Sequence, residues 1–150
     1  MRNAVVVDLD GTLANIDHRL HFVQRESRDY DAFYAALEHD TVNQWCVALM
    51  EALYFSGYPI ILVSARRKSA EDATRKWLDA NGIDCDSLVL LRADGDHAPA
   101  AELKMKWLAE YGAKNVLFVI DDNQKVVDAW RAAGVVCLQC AAWTEWKKAE

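Results

Sequence analysis

The sequence predicts a doubly wound α/β fold, on three observations. Short apolar runs alternate with helical patterns along the chain. The runs are continuous, as in strands buried on both faces of a parallel sheet. The first of them ends in two carboxylates and a Gly-Thr turn, which puts chemistry at a strand end. Strand–helix alternation selects a mainly parallel, Rossmann-like sheet, here of five strands, with a small helical insertion after the first. One domain over residues 1–150 is expected, because this length buries a core without disulfide or metal staples.

The strands are expected at residues 4–9, 60–63, 88–91, 116–120 and 135–138. A helix over 41–56 stops at Gly57, with Pro59 beyond it. The next covers 69–80, with Ser69 as N-cap, Asp72 three residues on and Asn81-Gly82 as its stop. Helices over 100–111 and 123–133 end at Gly112 and Gly134.

Residues 14–40 interrupt the alternation. They form the helical insertion, too short for an independent cap domain, over the strand end that carries Asp8 and Asp10. Tyr30, Phe33, Tyr34 and Leu37 share one face at helical spacing. Such a stripe reads first as core packing and second as a base-stacking platform. His18, His21 and His39 lack metal-ligand spacing with a partner and read as surface residues.

A net charge of −6 speaks against broad binding of duplex nucleic acid, though not against a small basic site. No apolar run approaches a membrane span, and the N-terminal run carries acids that a signal peptide lacks. The expected setting is cytoplasmic, with no membrane partner. Four scattered cysteines, Cys46, Cys85, Cys137 and Cys140, fit a reducing compartment better than a disulfide framework. Cys137 and Cys140 fall on opposite faces of an extended strand and read as structural. Trp143 and Trp146 suit packing on the sheet edge or a dimer contact, and composition fixes no oligomeric state.

The chemistry begins at Val5-Val6-Val7-Asp8-Leu9-Asp10-Gly11-Thr12-Leu13. Side chains alternate along a strand, so Asp8 and Asp10 leave it on the same side. Like charges that close favour protonation of one of them. A divalent cation relieves this, and Mg²⁺ typically takes one or two carboxylates with phosphate oxygens and water. Gly11 permits the sharp turn. The local reading is a metal-assisted phosphate site at the carboxyl end of a buried strand. The plain alternative is a surface Asp-rich turn.

Each later strand end adds to the first reading. Ser64-Ala65-Arg66-Arg67-Lys68 follows the second strand, where a hydroxyl, backbone amides and a guanidinium can hold phosphate oxygens. Arg66, Arg67, Lys68, Arg75 and Lys76 stand against Glu71 and Asp72, a local basic excess in an acidic protein. Lys104 lies early in the helix after the third strand. The fourth strand ends in Asp121-Asp122-Asn123, paired acids that either join the site or cap the helix.

Together these segments resemble the four motifs of the haloacid dehalogenase (HAD) superfamily of phosphohydrolases, spanning Asp8 to Asp122. The resemblance implies Asp8 as nucleophile, Asp10 as general acid/base, and Ser64 and Lys104 on the transferring phosphoryl group. It also implies Mg²⁺ held among Asp8, Asp10, Asp121 and Asp122. Arg19, the Ser64-x-Arg66 pair, Thr74 to Leu78 and Ile120 to Arg131 resemble, more narrowly, the 3′-phosphatase domain of phage polynucleotide kinase/phosphatases. That likeness implies phosphate-site roles for Thr12, Arg19, Ala65 and Arg66, and packing roles for Trp77 and Trp130. It departs at Ala100, where the related domain carries an Asp; the alternatives are that Asp96 or Glu102 substitutes or that the substrate preference has drifted. The chain carries no GxxxxGK[ST] loop, so a separate kinase or ligase is the partner the resemblance admits. Its setting would be a bacterial cytoplasm, or the host's for a phage protein.

The implied reaction is two-step hydrolysis of a phosphomonoester through an aspartyl-phosphate on Asp8. Asp10 protonates the leaving alcohol and then deprotonates water, so its pKa is expected to be raised. A short insertion leaves the cleft open, which favours a 3′-phosphate on a DNA or RNA end or on a nucleotide. The alternative is a 5′-nucleotidase acting on mononucleotides, with Tyr30, Phe33 and Tyr34 stacking the base. A phosphatase for other esters ranks below these. A non-enzymatic phosphate-binding scaffold ranks last, since both acids of the first motif and Lys104 are present.

Overall fold

The computed structural model describes residues 2–24 and 26–142, so Trp143 and Trp146 lie outside the described residues. In chain order the first half holds β1 (Ala4–Val7), β2 (Ala14–Asn15), α1 (Tyr30–Ala35), β3 (Thr41–Val42), α2 (Gln44–Phe55) and β4 (Ile60–Arg67). The second half holds α3 (Glu71–Ala80), β5 (Ser87–Arg92), α4 (Ala100–Tyr111), β6 (Val116–Asp121), α5 (Gln124–Ala132) and β7 (Cys137–Gln139). Five strands form one sheet in the order β5-β4-β1-β6-β7, and every pairing in it is parallel. The α/β class with a parallel sheet is as expected. Among the described residues, no helix is long and apolar enough to cross a membrane.

β1 is central and buried along its length. Its alternate residues serve opposite faces. Val5 and Val7, with Ile60 and Leu62 of β4, pack against Cys46 and Met50 of α2 and Trp77 and Leu78 of α3. Ala4 and Val6, with Ile61 and Val63, pack against Leu108 of α4 and Val126, Val127 and Trp130 of α5. Both tryptophans are core residues, and each indole N–H finds an oxygen, as buried indoles require. Trp77 donates to the Asp40 carbonyl at 2.8 Å, and Trp130 donates to Asp121 Oδ2 at 3.4 Å. Cys137 packs in the second cluster and Cys140 against the first, on opposite sides of the sheet.

Three helix starts differ from expectation, each for a local reason. α2 begins at Gln44, because Thr41 and Val42 pair antiparallel with Asn15 and Ala14 to make a two-stranded ribbon. Ser69 is not an N-cap: it lies within a 3-10 turn, Lys68–Ala70, and no side chain caps α3. α5 is capped by Asn123, whose side chain accepts from the amides of Lys125 and Val126, which leaves the two preceding acids for other partners.

The insertion holds a 3-10 helix (Asp17–Phe22), α1 and a second 3-10 turn (Leu37–His39). The aromatic stripe divides. Phe33 and Leu37 join the core, and Tyr30 and Tyr34, with part of Phe33, line the cavity over the sheet. His39 is exposed, but His18 is not merely a surface residue, because its Nε2 lies 2.7 Å from Asp40 Oδ1.

Candidate active site

The carboxyl ends of β1, β4 and β6 and the start of α4 open into a cavity of about 610 Å³. This is where parallel sheets generally present ligands. Asp8, Asp10, Ser64, Ala65, Arg66, Lys104, Asp121 and Asp122 border it. Thr12 and Arg19 do not.

Asp8 follows β1 directly, and its backbone N–H donates to the Ile120 carbonyl at 3.0 Å, which locks the turn to β6. Lys104 reaches the same point from α4. Its ammonium donates to Asp8 Oδ1 at 2.8 Å and to Asp121 Oδ2 at 2.6 Å, and all three side chains are at least nine-tenths buried. Burial lowers the Lys104 pKa, but Asp121 and Asp8 outweigh it and hold that pKa above the ordinary value. Burial, then the neighbouring Asp121, pushes the Asp8 carboxyl well above the usual range, and Lys104 only partly opposes them.

Asp122 completes the group. One carboxylate oxygen from each of Asp8, Asp121 and Asp122 lies within 4.8 Å of the others. Three buried, hard oxygen donors fit Mg²⁺, which prefers carboxylates and keeps sites open for phosphate oxygens. Gly11 makes the arrangement sterically feasible. Its φ is +85°, and a Cβ there would collide with the Asp122 carboxylate.

Asp10 belongs to a different electrostatic setting, and its carboxylate is not in the metal cluster where the sequence put it. Its Oδ1 accepts from Arg19 Nη2 at 2.7 Å and from Arg66 Nη2 at 2.6 Å. Burial would raise its pKa, but the two guanidiniums, Arg66 first, hold the carboxyl well below its usual range. The expectation of a raised pKa is therefore reversed, because the Arg19 and Arg66 guanidiniums turn toward Asp10.

Behind Asp10 lies Asp40, which the sequence reading missed. Arg19 Nε and Nη2 each donate to one Asp40 oxygen at 2.7 Å, and Arg66 Nη2 reaches Oδ2 at 3.4 Å. Arg66 Nη1 donates to Thr74 Oγ1 at 3.0 Å, and the Arg19 guanidinium covers the Phe33 ring at 4.2 Å. The side chains of Arg19, Arg66 and Asp40 have no exposed surface. Arg19, expected at the phosphate, lies beneath Asp10 and outside the cavity lining. Thr12 also lies outside the lining: it is fully buried, with its hydroxyl 3.4 Å from Asp8 Oδ2 and 3.5 Å from Cys140 Sγ. Arg66 borders the cavity, but its guanidinium is committed to Asp10, Thr74 and Asp40.

On the remaining wall, Ser64 Oγ accepts from the Arg66 amide at 3.1 Å, and Arg92 ties the Ala65 carbonyl at 3.1 Å to the loop ahead of α4. Ala100 and Asp96 border the cavity, while Glu102 does not, so only one of the expected substitutes stands near the site. The basic strip also thins out. Arg75 pairs with Glu71 at 2.9 Å and Arg66 is buried on the cavity wall, which leaves Arg67 as the strip's partly exposed member there.

Residues 2–143 match the family described as the polynucleotide kinase PNKP phosphatase domain. A chain in a structure described as the Pnkp1/Rnl/Hen1 RNA repair complex superposes at TM-score 0.81 with 26% identity, over 95% of this chain and 43% of that one. A chain in a second Pnkp1/Rnl/Hen1 structure gives 0.79 and 28%, over 94% and 46%. This chain therefore spans less than half the length of those two. A HAD family enzyme from Bacteroides thetaiotaomicron, in a magnesium complex, matches at 0.60 and 15% over 99% of this chain and 98% of its own, a likeness of fold. Sheet order, the four strand-end motifs and the match across nearly the whole chain agree: this chain belongs to the PNKP phosphatase-domain family, among the HAD-type phosphatases.

Proposed function

We propose that the chain removes 3′-phosphate from polynucleotide ends or nucleotides, with Mg²⁺ as cofactor and Asp8 as nucleophile. One observation carries the reading. Asp8 and Asp10 enter a single cavity in opposite settings, one in an acidic cluster with Lys104, the other clamped between guanidiniums. Two carboxylates kept apart in this way suit two different roles.

Asp8 attacks phosphorus, forming the aspartyl-phosphate as the bond to the leaving oxygen breaks. Asp10 gives that oxygen its proton. As held here it is a carboxylate. The negative charge of an arriving phosphoryl group moves its pKa upward, so Asp10 takes a proton from solvent as substrate binds and hands that proton to the leaving oxygen. In the second step Asp10 takes a proton from water, which displaces Asp8 and releases phosphate. Lys104 and Ser64, which line the cavity, steady the phosphoryl oxygens, where a loose transition state spreads its charge. Asp8, Asp121 and Asp122 are the residues that would hold Mg²⁺, which when bound supplies positive charge to the same oxygens.

The family description and the RNA repair complexes among its structural relatives support a polynucleotide as substrate and a kinase or ligase as partner; the 3′-end and a cytoplasmic setting belong to the proposal. The deciding assay is Mg²⁺-dependent phosphate release from a 3′-phosphorylated oligonucleotide, its 5′-phosphorylated twin, and 3′- and 5′-mononucleotides. Release from the 3′-substrates is expected. Preference for 5′-mononucleotides would overturn the reading in favour of a nucleotidase.

A further inference from the structure

A second hollow of about 270 Å³ lies beside the cavity, on the seam between the insertion and α3. The two spaces share a wall made of Tyr34 and Arg67. The Arg67 guanidinium lies 5.0 Å from the centre of the Tyr34 ring and 5.8 Å from that of Tyr30. Beyond the wall, Tyr34, Leu37, Ala70 and Ala73 give the hollow apolar sides. It is smaller than a typical complete ligand site, as befits one ring of a larger molecule whose reacting end lies elsewhere.

Arg67 differs from Arg19 and Arg66 in its availability. Arg19 and Arg66 are wholly buried against carboxylates. Arg67 keeps 29% of its side chain exposed, and its ion pair with Asp31, at 3.0 Å, rests on a carboxylate that is 94% exposed. A pair so open to water is weak, so a phosphate group can take its place.

We propose that this wall is a strand-binding subsite. The terminal nucleotide occupies the cavity with its 3′-phosphate toward Asp8. The preceding phosphodiester meets Arg67, and the preceding base enters the second hollow against Tyr34. Aromatic and guanidinium faces take any base, so the subsite reads chain length instead of sequence. The inference rests on the 3′-phosphatase reading and adds that the preferred substrate is a strand.

The test compares 3′-phosphorylated mono-, di- and trinucleotides as substrates. It also measures equilibrium binding of a fluorescent single strand with a 3′-hydroxyl end, which needs no turnover. For the wild type, kcat/KM rises about tenfold from mono- to dinucleotide and then levels off. Arg67→Gln removes most of that rise through KM, and weakens binding of the single strand. Asp31→Asn, which takes away the competing carboxylate, acts in the opposite direction on both. Equal kcat/KM for all three lengths, or a loss in Arg67→Gln that is uniform across lengths, overturns the subsite while leaving the phosphatase reading intact. If no 3′-phosphate is released from any length, the 3′-phosphatase reading falls. The binding measurement then still decides the subsite: opposite shifts in the two variants sustain it, and no binding refutes it.

Discussion

Asp40 and Arg19 meet through two hydrogen bonds of 2.7 Å, one to each carboxylate oxygen, with neither side chain exposed. The pair is the hidden half of the Asp10 clamp. Arg19 reaches Asp10 with the same Nη2 that it gives to Asp40, so Asp40 fixes the angle at which Asp10 is held.

Asp40→Asn keeps the volume and removes the charge, leaving two buried guanidiniums with Asp10 as their one carboxylate. Breaking a buried pair in this way costs about 3–5 kcal/mol, which urea unfolding would register. Asp10 then carries both arginines alone, so its pKa falls further. The limb of the pH–rate profile governed by Asp10 therefore moves to more acidic pH. A role for Asp40 in stability alone would leave that limb in place.

Asp10 also sets a pH dependence of stability. Its folded pKa is depressed below the ordinary 3.8, so its contribution is fully present above 3.8 and is lost as pH falls toward the lower folded value. Wild-type stability, followed by denaturant unfolding through this acid range, should decline more steeply than that of Asp10→Asn. Parallel curves would show that the clamp does not depress the group.

Mg²⁺ should raise the unfolding temperature of the wild type, because a ligand bound only by the folded state adds its binding free energy to stability. Asp122→Asn removes one carboxylate of the cluster, and the rise should shrink markedly in a thermal-shift titration. An undiminished shift would place the cation elsewhere.

The cysteines should be slow to react. Burial pushes the thiols of Cys46 and Cys137 up to about 12 and that of Cys140 to about 11. Thiolate is the reactive form, so at neutral pH iodoacetamide should label these three appreciably only after denaturation. Mass spectrometry of native and urea-treated protein checks this.

What the sequence made legible was local. Continuous apolar runs marked the sheet, and the residues at strand ends marked the cavity, because both signals lie within a few neighbours along the chain. Asp40 was not legible. Its partners, Arg19 and Arg66, are separated from it by many residues, and no spacing announces a buried ion pair that forms only on folding. Thr74 did leave a trace. Ala70, Thr74, Trp77 and Leu78 line the buried face of α3 and its preceding turn, and a hydroxyl in that stripe needs a buried partner, here Arg66. Asp10 illustrates a third case. Its position was readable but its charge state was not, since that depends on which way two arginines turn.

The insertion's construction bears on how substrate enters. Arg19 comes from its beginning and Asp40 from its end, and both are locked through Asp10 and Arg66 to the sheet. Trp77 grips the Asp40 carbonyl from α3, and the β2–β3 ribbon ties the two ends to each other. Swinging such an element aside would rupture buried ion pairs at several kcal/mol. The insertion is therefore pinned at both of its ends, so the side of the cavity that it covers is built from fixed ion pairs and not from a free loop.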